Sequence, residues 1–350
     1  MLSFLSEYWY DRTYIIRIIA TTMKMRFTAQ LSGIYPRSEQ LVELSRAYDR
    51  GKTDHDNLQK QFEQDTRDLV RLEKASGFEN FSDGAFSWQD QLRPIVESLD
   101  GVTTGTRYSR WFDTNTFYKK PTITERIKVG RFTPKKFIRT DLLQGTKPWT
   151  VTLVGPYTFA ELSENLHYET KAELVSEIAT AQHEIIRRLE TAGVSHFQIA
   201  EPCLVYRPYT EEALNKNELV EALKALRKTV EDVDASFSVQ TYFGDAGPII
   251  RDLLQLPVET IGFDLFETDY SGLEIETDKR LALGVVDSRE SNVESPQWIA
   301  ETATRVSKHL VSDEIILVPN SDLKFVPRKV ADEKARSLSL ATTLVDEAAS

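Results

Sequence analysis

The stretch at residues 107–121 concentrates side chains that bind anions and flat rings. It reads RYSRWFDTNTFYKKP and holds four cations and five aromatic residues. A guanidinium binds a carboxylate through two parallel hydrogen bonds, and an indole ring stacks on flat ligands. Arg110 is therefore a candidate carboxylate clamp, and Trp111 is a candidate stacking partner for a flat ring of a ligand. Two structural alternatives stay open: an ion pair between Arg110 and Asp113, and an anchoring role for Trp111 at the rim of the fold.

Asp113 and Asn115 lie in the same stretch and complete its set of candidate binding residues. Short polar side chains such as these bond readily to nearby backbone groups, which stabilises turns. We favour the turn-forming role for both residues.

Two carboxylates end predicted strands, where a side chain is held rigidly and faces a binding site. Glu201 and Asp264 are the catalytic candidates, because a carboxylate there pairs with a substrate ammonium or acts as an acid or base. The alternative is a structural carboxylate bonded within the rim.

Further candidates for binding a substrate or carrier also follow predicted strands: Tyr35, Arg37, Trp88, Tyr242, Asn320, Asp322 and Lys324. Arg37 is a second candidate clamp, a packing role in a metal-free pocket is the alternative for Tyr242, and a surface turn is the alternative for Asp322 and Lys324.

Eight short apolar runs must position these residues. They lie at 25–33, 79–84, 150–156, 196–202, 237–244, 260–266, 281–287 and 314–320. Long amphipathic helices separate most of them. In 168–192 an apolar stripe repeats every three or four residues, and Gly193 stands where a helix-ending glycine belongs.

This alternation of strands and helices predicts an α/β fold, a (β/α)₈ TIM barrel in one domain at 25–350 after an extension at 1–24. A helical insertion follows strand 1 at 37–77, and a long insertion at 101–148 separates strands 2 and 3. An open doubly wound sheet is the runner-up, weakened by the lack of a glycine-rich phosphate loop.

Composition narrows the function classes. A net charge of −11 disfavours nonspecific binding to nucleic acid. The single cysteine, Cys203, excludes an intramolecular disulfide and fits a reducing, cytoplasmic setting. The run YIIRIIA near the N-terminus is too short for a membrane span, which needs about 20 apolar residues. We therefore expect a cytoplasmic protein with a small-molecule substrate and with neither nucleic acid nor membrane as a partner.

Seven segments, in order, resemble the N-terminal barrel of the cobalamin-independent methionine synthases. They are GIYPR (33–37), DGAFSWQDQLRP (83–94), SRWFDTNTFYKKP (109–121), VTLVGPYT (151–158), FQIAEPCLV (197–205), QTYFGDAGPIIRDLLQLPVETIGFDL (240–265) and ILVPNSDLKFVPR (316–328). The resemblance covers essentially residues 25–345. It implies methyl transfer from a methylated folate, or a related methyl carrier, to homocysteine.

The resemblance also implies where zinc chemistry takes place. The family's catalytic barrel binds zinc through a His-x-Cys pair, a glutamate and a later cysteine, and the metal deprotonates the homocysteine thiol. This chain has Gln240-Thr241-Tyr242 at the first position and Ser321 at the later one. The expectation is no metal in this chain and zinc on a separate catalytic chain that is its partner.

In the fused enzymes, the non-metal barrel helps to hold the folate's polyglutamate tail. The resemblance maps part of that contact onto Arg110 and onto the segment after Arg37, where the family's two cations are replaced within Val42-Glu43-Leu44-Ser45. The resulting hypothesis is a carrier-binding component of methionine synthase. Two alternatives stay open: an independent metal-free enzyme of the same superfamily, and a non-catalytic binding or scaffold subunit.

Overall fold

The computed structural model describes residues 25–207 and 214–348, so the predicted extension at 1–24 lies outside the described residues. In chain order, the strands are β1 (Arg26–Ala29), β2 (Leu99–Arg110), β3 (Phe117–Val129), β4 (Thr150–Val154), β5 (Glu164–Asn165), β6 (His196–Ala200), β7 (Ser236–Gln240), β8 (Thr260–Asp264), β9 (Ile275–Glu276), β10 (Arg280–Val286), β11 (Leu310–Val311) and β12 (Glu314–Pro319). The helices are α1 (Glu39–Asp49), α2 (His55–Ala75), α3 (Arg93–Val96), α4 (Pro156–Glu161), α5 (Lys171–Thr191), α6 (Lys216–Val230), α7 (Ile250–Leu253), α8 (Pro296–Ser307) and α9 (Arg328–Ala348). Short 3₁₀ turns lie at Pro134–Lys136, Thr140–Leu142, Pro202–Leu204, Gly247–Ile249 and Leu323–Phe325. No helix in these ranges is long and apolar enough to cross a membrane.

Seven strands form one parallel sheet in the order β1-β12-β10-β8-β7-β6-β4. All five residues of β6 and of β8 are buried, as expected for a parallel sheet covered on both faces. Each of these seven strands coincides with one of the apolar runs recognised in the sequence. The predicted α/β class with a parallel sheet is therefore confirmed.

The eighth run, at 79–84, forms a single bridge instead of a strand. Phe81 pairs in parallel with Trp149, donating its N–H to the Pro148 carbonyl at 3.0 Å and accepting from Thr150 N at 2.9 Å. The run ends early because Gly84 adopts a φ of +75° and the Asp83 carboxylate accepts from Ala85 N, which together make a turn.

Helices pack on the sheet through the apolar stripes read from the sequence. In α5 the stripe residues Leu174, Ile178, Ala181, Ile185 and Leu189 are buried. Thr170 begins the helix by accepting from Glu173 N at 3.1 Å, and Gly193 follows its end with a φ of +98°. The segment after β1 holds α1 and α2, which Asp65 connects through hydrogen bonds from both the backbone and the hydroxyl of Ser38.

The insertion at 101–148 is dominated by an antiparallel hairpin, β2–β3, whose β structure the sequence reasoning missed. Arg110 pairs with Phe117 and Tyr108 with Lys119, while the ladder is irregular between Thr104 and Tyr108. Ile123 and Ile127 on β3 are buried. The hairpin therefore belongs to the body of the protein and carries its turn, residues 111–116, towards the carboxyl edge of the sheet.

Candidate functional site

The turn of hairpin β2–β3 covers part of the carboxyl edge of the parallel strands. The region enclosed by the loops that follow these strands is here termed the mouth. The Phe112 ring lies edge-on to Tyr206, Tyr242 and Phe243, with ring centres 4.8, 6.4 and 6.1 Å away. Tyr206 follows β6, and Tyr242 and Phe243 follow β7. Phe112 reaches them with a φ of +48°, an uncommon conformation for a bulky residue. An aromatic cluster contributed by the chain itself thus occupies the space above these two strands.

Trp111 lies beside this cluster and is 1 % exposed. Its ring contacts Phe112 and Tyr118 edge-on, with ring centres 5.1 and 5.7 Å away, and the Lys324 Nζ lies 4.9 Å from its centre. Among the described residues, no group accepts a hydrogen bond from the indole N–H. The geometry corresponds to the anchoring alternative, because the buried ring holds the hairpin to the rim.

The three remaining candidates of the hairpin, Arg110, Asp113 and Asn115, are exposed. The Arg110 guanidinium carbon lies 6.0 Å from the centre of the Phe117 ring. Arg110 forms no ion pair with Asp113, nor with any other residue in 25–207 or 214–348. As far as the described residues are concerned, the guanidinium is therefore exposed and unpaired, as binding of an external anion requires.

The two catalytic candidates hold backbone loops at the rim. Glu201 is buried and accepts from Tyr157 N at 3.0 Å and Thr158 N at 2.8 Å, at the start of α4. Burial raises its pKa to about 7, although these hydrogen bonds favour the charged form. Gly155 is needed beside it, because a β-carbon there would overlap the Glu201 side chain.

Asp264, also buried, binds the two loops that follow β7 and β8. Its carboxylate accepts from Phe243 N at 3.1 Å, Phe266 N at 2.9 Å and Asn320 Nδ2 at 3.1 Å. Burial raises its pKa to about 6. Asn320 in turn accepts from Ser288 N at 2.9 Å through its side-chain oxygen. Every oxygen of both carboxylates is thus engaged by groups of the protein.

We predict that Glu201 makes stability fall as the pH rises. Its pKa is about 7 in the folded chain and 4.5 in an exposed glutamate. The folded state therefore binds the proton more tightly, and stability is lost as the pH rises through this window. Relative to the wild type, Glu201→Gln should gain about 3 kcal/mol in unfolding free energy between pH 5 and pH 8, measured in urea. Glu301→Gln, an exposed control, should show no such difference; equal pH profiles for both variants would contradict the prediction.

The interior of the sheet carries a chain of amide and hydroxyl groups. The Thr152 hydroxyl donates to Gln198 Oε1 at 2.9 Å, Gln198 donates to Gln240, and Gln240 Nε2 donates to the Pro319 and Asn320 carbonyls at 3.1 and 2.9 Å. The Thr241 hydroxyl faces the Gly262 carbonyl at 3.4 Å. The hydroxyls of Ser288 and Ser321 lie 2.7 Å apart. Among the described residues, no cluster of three or more His, Cys, Asp or Glu side chains could hold a metal ion.

Beside the filled mouth lies an open cleft of about 1360 Å³. It is bounded by the segment after β1, the hairpin turn, the segment after β12 and α9. Tyr35, Arg37, Trp88 and Lys324 are the sequence-predicted residues that it brings together. The cleft also has cations that sequence reasoning missed: Arg46, Arg328, Lys329 and Arg336. In the sequence of a helix, a cation that faces a cleft looks the same as a cation that faces open water, so no sequence signal distinguishes the two.

Hydrogen bonds hold the walls of this cleft in place. The Tyr35 hydroxyl and Arg328 Nε both donate to Asp332 Oδ1 at 2.8 Å, and the Arg328 guanidinium lies over the Tyr35 ring at 5.0 Å. Arg37 donates to the Phe86 and Trp88 carbonyls at 2.8 and 3.1 Å. Arg37 therefore braces the loop that carries Trp88, whose indole N–H donates to the Lys136 carbonyl at 2.9 Å.

Lys324 lines the cleft and pairs with the buried carboxylate of Asp322, so the interpretation of these two residues as a surface turn is wrong. Asp322 is buried, accepts from Gln91 Nε2 and has Lys324 Nζ at 3.7 Å. Burial raises the pKa of Asp322 to about 6 and lowers that of Lys324. The reason is that the loop after β12 turns inward over the sheet, which sequence alone does not show.

Comparison with known proteins agrees with this architecture. Residues 100–310, more than half of the chain, match the family model described as cobalamin-independent synthase, N-terminal domain. The chain is 24% identical over 320 residues to the methionine synthase of Sulfolobus acidocaldarius, covering 90% of this chain and 91% of that one. It is 27% identical over 326 residues to the methionine synthase of Saccharolobus solfataricus, covering 90% and 93%.

Two solved structures share the fold. The B12-independent methionine synthase of Shewanella sp. W3-18-1 superposes with a TM-score of 0.75 at 18% identity, covering 93% of this chain and 99% of that one. The putative vitamin-B12 independent methionine synthase of Listeria monocytogenes superposes with a TM-score of 0.72 at 16% identity, covering 91% and 98%. From the family match and the relatives together, this chain belongs to the cobalamin-independent methionine synthases, as a protein of the N-terminal-domain type.

Proposed function

We propose that this chain is the carrier-binding component of a methionine synthase and acts with a separate, zinc-bearing catalytic chain. The observation that carries the proposal is the cationic cleft beside a mouth filled by the chain's own side chains. In this arrangement the cleft holds the methyl carrier, a methylated folate or a related molecule, and the partner activates homocysteine.

The charge of the cleft supports an anionic carrier. Its lining has the cations Arg37, Arg46, Lys324, Arg328, Lys329 and Arg336, and the carboxylates Glu39, Glu43, Asp332 and Glu333. Within the described ranges, Arg46, Lys329 and Arg336 form no ion pair. Unpaired guanidinium and ammonium groups around a cleft attract carboxylates and add directed hydrogen bonds. An acidic tail on the carrier fits this distribution.

The groups at the zinc-ligand positions support placing the metal on another chain. Zinc in proteins takes thiolate, imidazole or carboxylate ligands. Gln240, Tyr242 and Ser321 offer an amide, a phenol and a hydroxyl, and the amide of Gln240 and the hydroxyl of Ser321 already bond within the protein. These residues do not fit zinc, so we assign this chain no step in activating the homocysteine thiol.

We also infer that the parallel sheet closes into a (β/α)₈ barrel through residues 79–84. Phe81 is joined to Trp149 and Thr150 on the β4 side. On the β1 side, Asn80 Nδ2 donates to Gln30 Oε1 at 2.6 Å and Tyr35 N donates to the Gly84 carbonyl at 3.0 Å. The segment thus contacts both ends of the seven-stranded order, as an eighth barrel position requires.

The proposed function is tested by reconstitution. The purified chain, the zinc-bearing chain and their mixture are each given the methylated carrier and homocysteine, and methionine is measured. We expect methionine from the mixture only. Equal rates for the zinc-bearing chain alone and for the mixture would overturn the proposal.

The cleft itself is tested by charge reversal. We predict that Arg336→Glu raises the KM for the carrier at least about tenfold, the effect of losing about 1.4 kcal/mol of binding, and leaves the KM for homocysteine unchanged. Arg251→Glu reverses an exposed cation outside the cleft lining and is the matched control. A similar change in both variants would show that overall charge, and not the cleft, determines the effect.

A non-catalytic binding subunit is the second candidate, because Phe112 and Tyr242 occupy the mouth where a substrate of an independent enzyme would react. If the chain is such a subunit, calorimetry should detect carrier binding, while adding the chain to the zinc-bearing chain should not change the rate of methionine formation.

If the chain is instead an independent metal-free enzyme, it should turn over substrate alone, and Asp264→Asn or Arg110→Ala should abolish that turnover.

A further inference from the structure

One face of hairpin β2–β3 presents two aromatic rings and two cations in register. These four residues, Tyr108, Arg110, Phe117 and Lys119, are here termed the hairpin face. Tyr108 stands opposite Lys119, and Arg110 stands opposite Phe117. Residues that are opposite each other in an antiparallel pair, or two apart along one strand, lie on the same side of the sheet.

The opposite side of the hairpin is turned inward. Ser109 pairs with Tyr118, which is buried and donates its hydroxyl to the Leu162 carbonyl at 3.3 Å. The hairpin face is consequently the outer side, and Tyr108 and Phe117 are 68 % and 55 % exposed. Both rings are large apolar surfaces left in water, which is typical of residues that contact a partner.

The rings and cations also order each other. The Arg110 guanidinium carbon lies 6.0 Å from the Phe117 ring centre, and the Lys119 Nζ lies 5.5 Å from the Tyr108 ring centre. These cation–π contacts limit the motion of four long side chains before any partner binds. Less conformational entropy is then lost on association.

The charge of this region is opposite to that of the chain. Residues 107–120 hold the cations Arg107, Arg110, Lys119 and Lys120 and the single carboxylate Asp113, whereas the chain has a net charge of −11. None of these four cations forms an ion pair with a residue of 25–207 or 214–348. A surface of this kind complements an acidic protein surface.

The hairpin face also borders the cleft, since Thr116 and Phe117 belong to the cleft lining. We propose that the hairpin face docks an acidic, partly apolar surface of the zinc-bearing chain, which then closes the carrier cleft from that side. This inference rests on the two-chain arrangement of the proposed function. It adds the surface through which the two chains recognise each other. A nucleic acid is a poorer occupant, because the net charge of −11 repels phosphates.

The test measures affinity and turnover separately. Full-length wild type, the Tyr108→Ala/Phe117→Ala double variant, Arg110→Glu and the control Leu340→Ala are titrated with the purified zinc-bearing chain by calorimetry. Leu340 is an exposed apolar residue of α9, outside the hairpin. Thermal unfolding checks that all variants remain folded, as expected for substitutions of exposed residues.

We expect the double variant to raise the Kd at least about 100-fold, as loss of two central contacts does, and Leu340→Ala to leave it unchanged. The effect of Arg110→Glu should shrink with added salt. At saturating partner, the single variant Tyr108→Ala, which removes a ring outside the cleft lining, should reach the wild-type rate of methionine formation, because this ring positions the chains and takes no part in chemistry.

The outcomes separate this inference from the proposed function. If the wild type stimulates methionine formation and the double variant binds with the same Kd, the docking inference is overturned and the proposed function stands. If the chains bind through the hairpin face but methionine formation is unaffected, docking stands and the proposed function fails. Two further controls test other occupants of the hairpin face. If this chain alone sediments as a dimer that the double variant abolishes, the face binds a second copy and the inference is overturned. If added RNA forms a complex that the double variant abolishes, the face binds RNA and the inference is likewise overturned.

Discussion

Replacing Phe112 with alanine is expected to lower the unfolding free energy by about 3 to 5 kcal/mol, among the larger losses for a single side chain. The ring packs against Tyr206, Tyr242 and Phe243. Alanine would leave a cavity that rigid neighbours fill only partly. The φ of +48° is disfavoured for alanine too, so the substitution brings no relief of backbone strain. Urea unfolding measures the loss.

Phe117→Ala is the matched control for this prediction. It removes the same ring five residues away on the same hairpin, but from a position that is 55 % exposed. Its effect on stability should be within about 0.5 kcal/mol. Hydrogen exchange gives a second readout, since Phe112→Ala should speed the exchange of the backbone amides around the turn. Equal losses for the two variants would show that the mouth is not filled in the way described.

Replacing Lys324 with methionine is expected to cost about 3 kcal/mol at pH 8, because it leaves the buried carboxylate of Asp322 without its cation. The loss should be smaller at pH 5. Lys324 lowers the pKa of Asp322, which burial raises to about 6, so removing the cation moves that pKa further upward. The folded state then binds the proton more tightly, and stability falls as the pH rises through the shifted pKa.

A second substitution isolates the cause. In the Lys324→Met background, Asp322→Asn should restore most of the lost stability at pH 8 and flatten the pH dependence. Gln91 Oε1 has no hydrogen-bond partner among the described residues, so its amide can rotate to accept from the new Nδ2. If the double variant is as unstable as Lys324→Met, lost packing of the lysine stem, and not the unpaired charge, explains the loss.

Much of the fold could be predicted from local sequence. The seven strands were located because buried parallel strands need near-continuous apolar runs, such as HFQIA in β6 and TIGFD in β8. The family followed from ordered motifs at strand ends. The extent of pairing in the run at 79–84 was harder to predict. The turn at Asp83 and Gly84 interrupts this run after a single bridge. Turn residues in a sequence do not show how many residues before the turn pair with another strand.

The candidate site could be predicted only in part. Strand-end reasoning found Tyr35, Arg37, Trp88 and Lys324, which line the cleft. It could not find Arg336, because a cation on a helix has the same sequence signature whether it faces a cleft or open water. It also named Glu201 and Asp264 without showing that backbone amides would engage their oxygens.

The stretch RYSRWFDTNTFYKKP shows which properties the sequence determines and which only the tertiary structure decides. The sequence by itself determined that cations and aromatic rings are concentrated there, and hence that the segment contacts either an anion or the protein's own rim. Only the tertiary structure decided between these possibilities, residue by residue: Trp111 and Phe112 are buried, whereas Tyr108, Arg110 and Phe117 face water. The physical reason is register, since side chains of a strand alternate between its two faces and only pairing with the rest of the fold fixes which face is covered.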